Sequence, residues 1–312
     1  MTAVVLALPG NHALAERVAA ELKADLGRLD VRRFPDGESY VRIETPVAGR
    51  AVLLAATLAR PDDKIFPLLL VAAAARDLGA ASVGLVAPYL PYLRQDRTFH
   101  PGEALSSRHF AALLSNAVDW LVTVDPHLHR IHALSDIFTI PAEAVHAGPR
   151  LAEWIRAHVT RPVVIGPDEE SRQWVEAVAR GAGAPWVVLH KTRRGDYAVD
   201  VQLADTAPLR DRTPVLVDDI VSTGQTMIAA MRLLARRPLP APYCVAVHGI
   251  FAEGAYEALV AEGAAAVVTS NSVPHVTNAI DVHDLVAWVA ATMLDASRGR
   301  AADAPAGAGA GT

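Results

Sequence analysis

Cysteine is almost missing from this chain: Cys244 stands alone among 312 residues. One thiol excludes an internal disulfide and any zinc site built on several thiolates. Its place in the apolar run Tyr243-Cys244-Val245-Ala246-Val247 reads as a buried structural thiol. Long hydrophobic runs are missing as well. The most extended, at 51–59 and 66–75, fall short of the roughly 18 residues that span a bilayer, so no membrane association is expected. The apolar start, residues 1–8, has no basic flank, and Glu16 and Arg17 follow closely. It reads as a first core strand rather than a secretory leader, and a cytoplasmic location is the expectation. Positive charge is not in surplus either. With 29 Lys+Arg against 34 Asp+Glu, the net charge is −5, which argues against a sequence-independent nucleic-acid binder. A small anionic ligand stays open, because a local arginine cluster can hold phosphate on an acidic protein. What the chain does have is core material. Apolar residues make up 52% and charged residues 20%, which rules out wholesale disorder and, at this length, suggests two domains.

Short apolar runs alternate with segments of helical period, indicating an α/β fold with parallel sheets covered on both faces. Strands are expected at 4–8, 51–56, 82–87, 120–124, 163–165, 186–189, 215–217, 243–247 and 265–269. Helices are expected at 13–24, with Asn11 as cap, and at 67–78, 106–117, 151–158, 172–180, 226–237 and near 282–294. Two blocks of similar length meet around 141–149. The expected division is 1–145, 146–296 with a last helix free to pack on either block, and an Ala/Gly-rich disordered tail at 297–312.

Ligands of open parallel sheets bind beyond the carboxyl ends of the strands. The sharpest candidate is Val215-Leu216-Val217-Asp218-Asp219-Ile220-Val221-Ser222-Thr223-Gly224-Gln225-Thr226. A strand ends in two carboxylates, a turn with hydroxyls and glycine follows, and a helix begins. Backbone N–H groups of such a turn form an anion site suited to a phosphate monoester. Asp218 and Asp219 can accept from sugar hydroxyls or, through water, hold magnesium. For a bare Asp-Asp pair an Asx turn with a helix cap would be the better reading; the full string reverses that preference.

This string resembles the ribose-5-phosphate signature shared by type I phosphoribosyltransferases and ribose-phosphate pyrophosphokinases. Phe34-Pro35-Asp36-Gly37-Glu38, Arg94-Gln95-Asp96-Arg97, Asp125-Pro126-His127, Gly166-Pro167-Asp168 and Lys191-Thr192-Arg193-Arg194, in this order, resemble the pyrophosphokinases in particular, over nearly all of residues 1–290. The resemblance implies two phosphoribosyltransferase-like domains, each a mostly parallel sheet flanked by helices. It also implies transfer of the diphosphoryl group of ATP to the C1 hydroxyl of ribose 5-phosphate, with Mg2+, giving phosphoribosyl pyrophosphate and AMP. Phe34, Asp36 and Glu38 would contact adenine from a neighbouring subunit of a homo-oligomer, although Asp-Gly alone would read as a hairpin turn. Arg94, Gln95 and Arg97 would contact the nucleotide, and His127 and Asp168 would serve its phosphates and metal. Lys191 and Arg193, with His127, would be catalytic. Asp218, Asp219, Ser222, Thr223, Gly224, Gln225 and Thr226 would bind ribose 5-phosphate, in a cleft shared by the two halves. The turn Ser270-Asn271-Ser272-Val273-Pro274 would help shape the ribose site or be an ordinary turn.

His127, His129 and His132 could suggest zinc, but no Cys or Glu-x-x-His partner completes a set. Four departures mark a divergent branch: Glu170 and Ser171 where the family carries glycines, Ser222 for an acidic residue, Gln225 for a glycine, and Arg130-Ile131-His132 after His127. Three other readings stay in view: a type I phosphoribosyltransferase, a non-catalytic regulatory subunit of a synthase, and a sugar-phosphate binder without chemistry.

Overall fold

The computed structural model describes residues 2–98, 100–168, 171–194, 198–203 and 209–303, except for the side chains of Gln173 and of residues 190–194, 198–203 and 298–303. Along the first half run β1 (Ala3–Ala7), α1 (His12–Leu22), β2 (Asp25–Leu26), β3 (Leu29–Arg33), β4 (Ser39–Ile43), β5 (Ala51–Ala55), α2 (Asp62–Asp77), β6 (Ser82–Val86), α3 (Ser106–Ala117), β7 (Trp120–Val124) and β8 (Ala142–Val145). There follow α4 (Gly148–His158), β9 (Pro162–Gly166), α5 (Arg172–Ala182), β10 (Trp186–Arg194), β11 (Ala198–Leu203), β12 (Thr213–Val221), α6 (Gln225–Leu234), β13 (Tyr243–Gly249), α7 (Ala255–Ala261), β14 (Ala266–Ser270), β15 (Asn278–Ile280) and α8 (His283–Asp303). Two compact units result. The first comprises Met1–Thr123, Arg130–Val145 and His283–Thr312, and the second Val124–His129 and His146–Val282.

In the first unit the strand order is β2-β1-β5-β6-β7-β8, with β2 through β7 paired in parallel. Every residue of β5 and β7 is buried, as expected of strands covered on both faces. Gly84 of β6 lies in register with Trp120 of β7, and a Cβ there would fall 2.2 Å from the indole ring. Glycine is therefore what admits the largest fully buried side chain. Beside this sheet, β3 and β4 form a separate antiparallel hairpin, and α8 packs on α1.

The second unit orders its strands β11-β10-β9-β12-β13-β14-β15, all parallel except the β10–β11 pair. Its core gathers Val163, Ile165, Leu216, Met227, Met231 and Leu259, with Cys244 buried among them as expected.

Several elements differ from the sequence expectations, each for a local reason. Asn11 stands at the start of α1 but does not cap it. Its Oδ1 accepts from the Thr57 N–H at 2.6 Å, and its Nδ2 donates to the carbonyls of Leu8 and Pro9, so it ties the end of β1 to the end of β5. Helix α2 starts at Asp62 rather than Pro67; Asp62 and Asp63 fill its first turn, where acidic side chains complement the helix dipole. Helix α6 stops at Leu234, three residues before the expected end. Strand β10 continues to Arg194 because β11 pairs with it, so a basic run that reads as a loop is strand backbone. Helix α8 continues to Asp303, seven residues into the stretch expected to be disordered.

Candidate active site

Both sheets reverse direction once. In the second unit the chain leaves β9 through α5 to β10 on one side, and leaves β12 through α6 to β13 on the other. The switch point thus lies between neighbouring strands β9 and β12, where ligands of such sheets bind. Asp168 follows β9, and Asp218 and Asp219 lie on β12. The sequence suggests that the strand ends before this pair; instead β12 runs on to Val221, with Ile220 in register with His248 of β13. Asp218 Oδ1 accepts from the Asp219 N–H at 3.0 Å, and the two carboxyl groups interact with each other directly.

Their electrostatics diverge. Burial, then the charges of Asp219 and Asp168, push the Asp218 carboxyl well above the ordinary aspartate range. Burial works the same way on Asp219, but the hydrogen bond and charge of His127 outweigh it and hold Asp219 below that range. His127 Nδ1 donates to Asp219 Oδ2 at 2.6 Å, and its ring meets His129 edge-on at 4.1 Å between centroids. The pair is therefore split: Asp219 gives up its proton more readily than an ordinary aspartate and Asp218 less readily.

After β12 comes the turn with Ser222, Thr223 and Gly224. Gly224 has φ +70°, a left-handed conformation that suits glycine, and Leu259 leaves no easy room for a Cβ. Gln225 and Thr226 open α6, whose cap position is Gly224, a residue with no side chain to cap it. An Asx-turn cap, the ordinary reading of this string, is therefore not what forms. Among the described residues, Gly224 at the cap position offers the leading N–H groups no side-chain acceptor, which suits an anion site.

Ser171, one of the departures, has a visible role. Its Oγ donates to the Asp168 carbonyl at 2.6 Å and its N–H to Asp168 Oδ1 at 3.3 Å, closing the turn after β9. A Cβ on Gly166 would sit 2.4 Å from that hydroxyl. Glu170, the companion departure, lies outside the described residues.

His248 is a residue that the sequence reading overlooked. It is 1% exposed, and burial pulls its pKa below the ordinary histidine value. Nε2 lies 3.1 Å from the Val124 carbonyl and 3.2 Å from that of Asp125, so Nε2 carries the proton. Nδ1 then accepts from Ser272 Oγ at 2.8 Å. Asp125, at φ +30°, holds the backbone just before His127, accepting from the Ala147 N–H and from His146 Nδ1. The turn at 270–274 thus contributes through Ser272, by way of His248.

Of the expected metal residues, His127 bonds to Asp219, and Asp168 acts on Asp218 through charge. Among the described residues no group of three potential ligands forms a cage. Magnesium needs none, since one or two carboxylates plus substrate phosphates suffice. The charges of Asp219 and Asp168 that raise the Asp218 pKa are repulsions a hard cation would relieve, so the donor set fits.

In the first unit, Phe34, Asp36 and Glu38 occupy the exposed tip of the β3–β4 hairpin. Gly37, at φ +94°, makes the turn, and Asp36 Oδ1 accepts from the Glu38 N–H. Phe34 is 41% exposed and meets Tyr40 edge-on, with the Arg32 guanidinium over both rings. Arg94 and Arg97 are exposed, while Gln95 accepts from Ser106 Oγ. Arg130, another departure, anchors that loop with two hydrogen bonds to Asp96. The backbone of Lys191 and Arg193 lies in β10, in register with Val201 and Val199; their side chains lie outside the described residues.

Residues 3–117 match the N-terminal domain of ribose phosphate pyrophosphokinase, and residues 135–285 match the phosphoribosyl transferase domain. The ribose-phosphate pyrophosphokinase of Methanopyrus kandleri is 34% identical over 286 residues, covering 91% of this chain and 97% of its own. The chain belongs to the ribose-phosphate pyrophosphokinase family. A pyrophosphokinase of Sulfurisphaera tokodaii is 30% identical over 286 residues, with 90% and 97% covered. The crystal structure of phosphoribosylpyrophosphate synthetase from Mycobacterium smegmatis superposes with a TM-score of 0.81 at 26% identity, covering 95% of this chain and 100% of that one. The expectation of an enzyme with two phosphoribosyltransferase-type α/β domains is borne out, and the chain covers almost the full length of these pyrophosphokinases.

Proposed function

We propose that this chain transfers the β,γ-diphosphoryl group of ATP to the C1 hydroxyl of ribose 5-phosphate, yielding phosphoribosyl pyrophosphate and AMP. The observation that carries the reading is the uncapped start of α6 directly after the Asp218–Asp219 pair, at a switch point that also holds Asp168. The 5-phosphate sits against the N–H groups of Gly224, Gln225 and Thr226 and the hydroxyls of Ser222, Thr223 and Thr226. Asp219, held below the ordinary aspartate range, accepts from a ribose hydroxyl, and Asp218, whose pKa is raised, can donate when it carries its proton. His127 keeps Asp219 ionised and aimed.

ATP takes Arg94, Gln95 and Arg97 from its own subunit and the Phe34–Asp36–Glu38 hairpin tip from a neighbouring copy in a homo-oligomer. Directed guanidinium donors suit phosphate, and an exposed aromatic suits the face of a base. Displacement at the β-phosphorus builds charge on the non-bridging oxygens and on the departing AMP. Lys191 and Arg193 supply fixed cations there. Asp168, with His127 or one carboxylate of the Asp218–Asp219 pair and the substrate phosphates, would hold Mg2+, which when bound neutralises phosphate charge. Among the described residues no helix is long and apolar enough to cross a membrane, in keeping with work in the cytoplasm on two soluble metabolites.

Product analysis tests the reading. Intact protein with ATP, ribose 5-phosphate and magnesium should release AMP stoichiometrically with phosphoribosyl pyrophosphate, and Lys191→Ala should not. Ribose 5-phosphate binding without AMP release would replace this reading with the non-catalytic subunit. Release of pyrophosphate from phosphoribosyl pyrophosphate and a base would replace it with a type I phosphoribosyltransferase.

A further inference from the structure

The first unit has a switch point too. Its chain leaves β1 through α1 to β2 on one side and leaves β5 through α2 to β6 on the other, so the reversal falls between β1 and β5. Directly beyond those strand ends lies a cavity of about 380 Å³, within the range of ordinary ligand pockets. Leu8 after β1 and Leu58 after β5 give it an apolar floor, while the base of the β3–β4 hairpin and the first turns of α2 form its walls. Arg32, Arg33 and Lys64 line it, against the single carboxylate of Asp63.

We propose that this cavity is a second ligand site, borne by the first unit alone, for a small phosphate monoester with an apolar or planar body. Three cations and one carboxylate line the cavity, and with Asp30 set against Arg32 from outside it a positive surplus remains, which suits a phosphomonoester. Asp63 is already engaged with Arg33 at 2.7 Å and Asp30 lies 3.8 Å from Arg32 Nε, so Lys64 supplies most of the unbalanced charge. Lys64 is half-buried, with Nζ donating to the Thr57 carbonyl at 2.9 Å, and both burial and the charge of Arg60 act against its ammonium. An arriving anion offsets both effects. Asn11 and its bonds to Leu8, Pro9 and Thr57 fix the two strand ends, so the floor is built before any ligand arrives. Neither Lys64 nor the floor belongs to the machinery assigned above, and the cavity stands or falls apart from that reaction.

Isothermal titration of the full chain with phenyl phosphate, a dianion on an apolar ring, tests the site without relying on turnover. Wild-type protein should bind with one more equivalent per chain than Lys64→Met, which keeps the length of the stem and removes the charge. Turnover of ATP and ribose 5-phosphate should be the same in both. Val31→Trp, which fills the cavity from the hairpin without touching a charge, should lose the same equivalent. Identical isotherms for wild type and both variants would overturn the proposal. Inorganic phosphate binding as tightly as phenyl phosphate would overturn the assignment of a ligand with an organic body.

Discussion

The two switch points sit at the same place in two sheets of one architecture and carry opposite charge. In the second unit the strand ends and the helix start bring Asp168, Asp218 and Asp219 together over an uncapped helix. In the first unit the corresponding crevice is lined by Arg32, Arg33 and Lys64, with Asn11 used as a structural clamp. The fold supplies a crevice in both; which chemistry occupies it depends on the few residues after each strand. A carboxylate crevice suits sugar hydroxyls and hard cations, whereas a cationic one suits an anion that arrives without metal. The hairpin sharpens the contrast: in the first unit its base roofs the local crevice, while its tip holds Phe34, Asp36 and Glu38 out into solvent.

The largest effect should come from the second unit's hairpin. In the proposed role, Lys191→Ala would remove a fixed cation from the migrating phosphoryl oxygens, and loss of one such donor costs on the order of 10²–10³ in kcat. Ribose 5-phosphate affinity, which the proposal assigns to α6 and Asp219, should change less than about threefold. Steady-state kinetics with a binding titration separates the two, and near-wild-type turnover would break the assignment of catalysis to that arm. Phe34→Ala should come next. Base–aromatic stacking contributes about 1–3 kcal/mol, so KM for ATP should rise roughly tenfold with a smaller change in kcat. Mixing Phe34→Ala with Arg94→Ala subunits should recover part of the activity if the hairpin tip serves a neighbouring copy. No recovery, from a mixture verified to exchange subunits, would confine the adenine site to one chain.

Much of this was legible in the sequence, for reasons that particular residues make plain. The string from Asp218 to Thr226 is contiguous, and glycine, hydroxyls and paired carboxylates each have a distinct physical use there. The Asp-Gly turn at 36–37 announces its hairpin by itself. The cationic cavity was not legible, because its lining comes from three separated segments, none of which forms a motif. His248 stayed hidden because it continues an apolar strand and reads as core. Its partners, Ser272 and the carbonyls of Val124 and Asp125, are up to 124 residues away in sequence. Arg130 looked like a plain departure because Asp96, which it holds, is 34 residues earlier. The extension of β10 depends on pairing with β11, which no local pattern in a basic run reveals.

His248 gives a smaller, structural effect that belongs to the carboxylate crevice alone. His248→Leu leaves the carbonyls of Val124 and Asp125 without their buried donor, at a cost of about 1–3 kcal/mol. Because burial depresses its pKa, His248 is neutral in the folded protein and gains a proton more readily when unfolded. Its contribution to stability is therefore present above its ordinary pKa of 6.5 and is lost as pH falls from there through the folded value. Nearby His146 has the opposite sign: its hydrogen bond to Asp125 raises its pKa, so its contribution fades as pH rises. The difference in melting temperature between wild type and His248→Leu isolates the first histidine. That difference should narrow as pH falls below about 6.5; a gap independent of pH would remove the neutral-donor assignment.

Asp218 should give the smallest effect and the reverse direction. Burial and two carboxylate neighbours raise its pKa, so the folded protein binds a proton that the unfolded chain releases near 3.8. Stability from this group is complete below that value and drains away as pH rises through the folded pKa. Asp218→Asn keeps the shape and hydrogen-bonding capacity without the titration, so the variant should melt higher than wild type at neutral pH, by about 2–4 °C for each kcal/mol gained. The advantage should vanish near pH 4 and also when magnesium is added to the wild type alone, since a cation among the carboxylates does the same work. Turnover should fall in the same variant, separating what the crevice needs for chemistry from what the fold would prefer. An Asp218→Asn protein that melts below wild type at pH 7 would mean that the carboxylates do not repel one another there, and the contrast in charge between the two crevices would lose its physical basis.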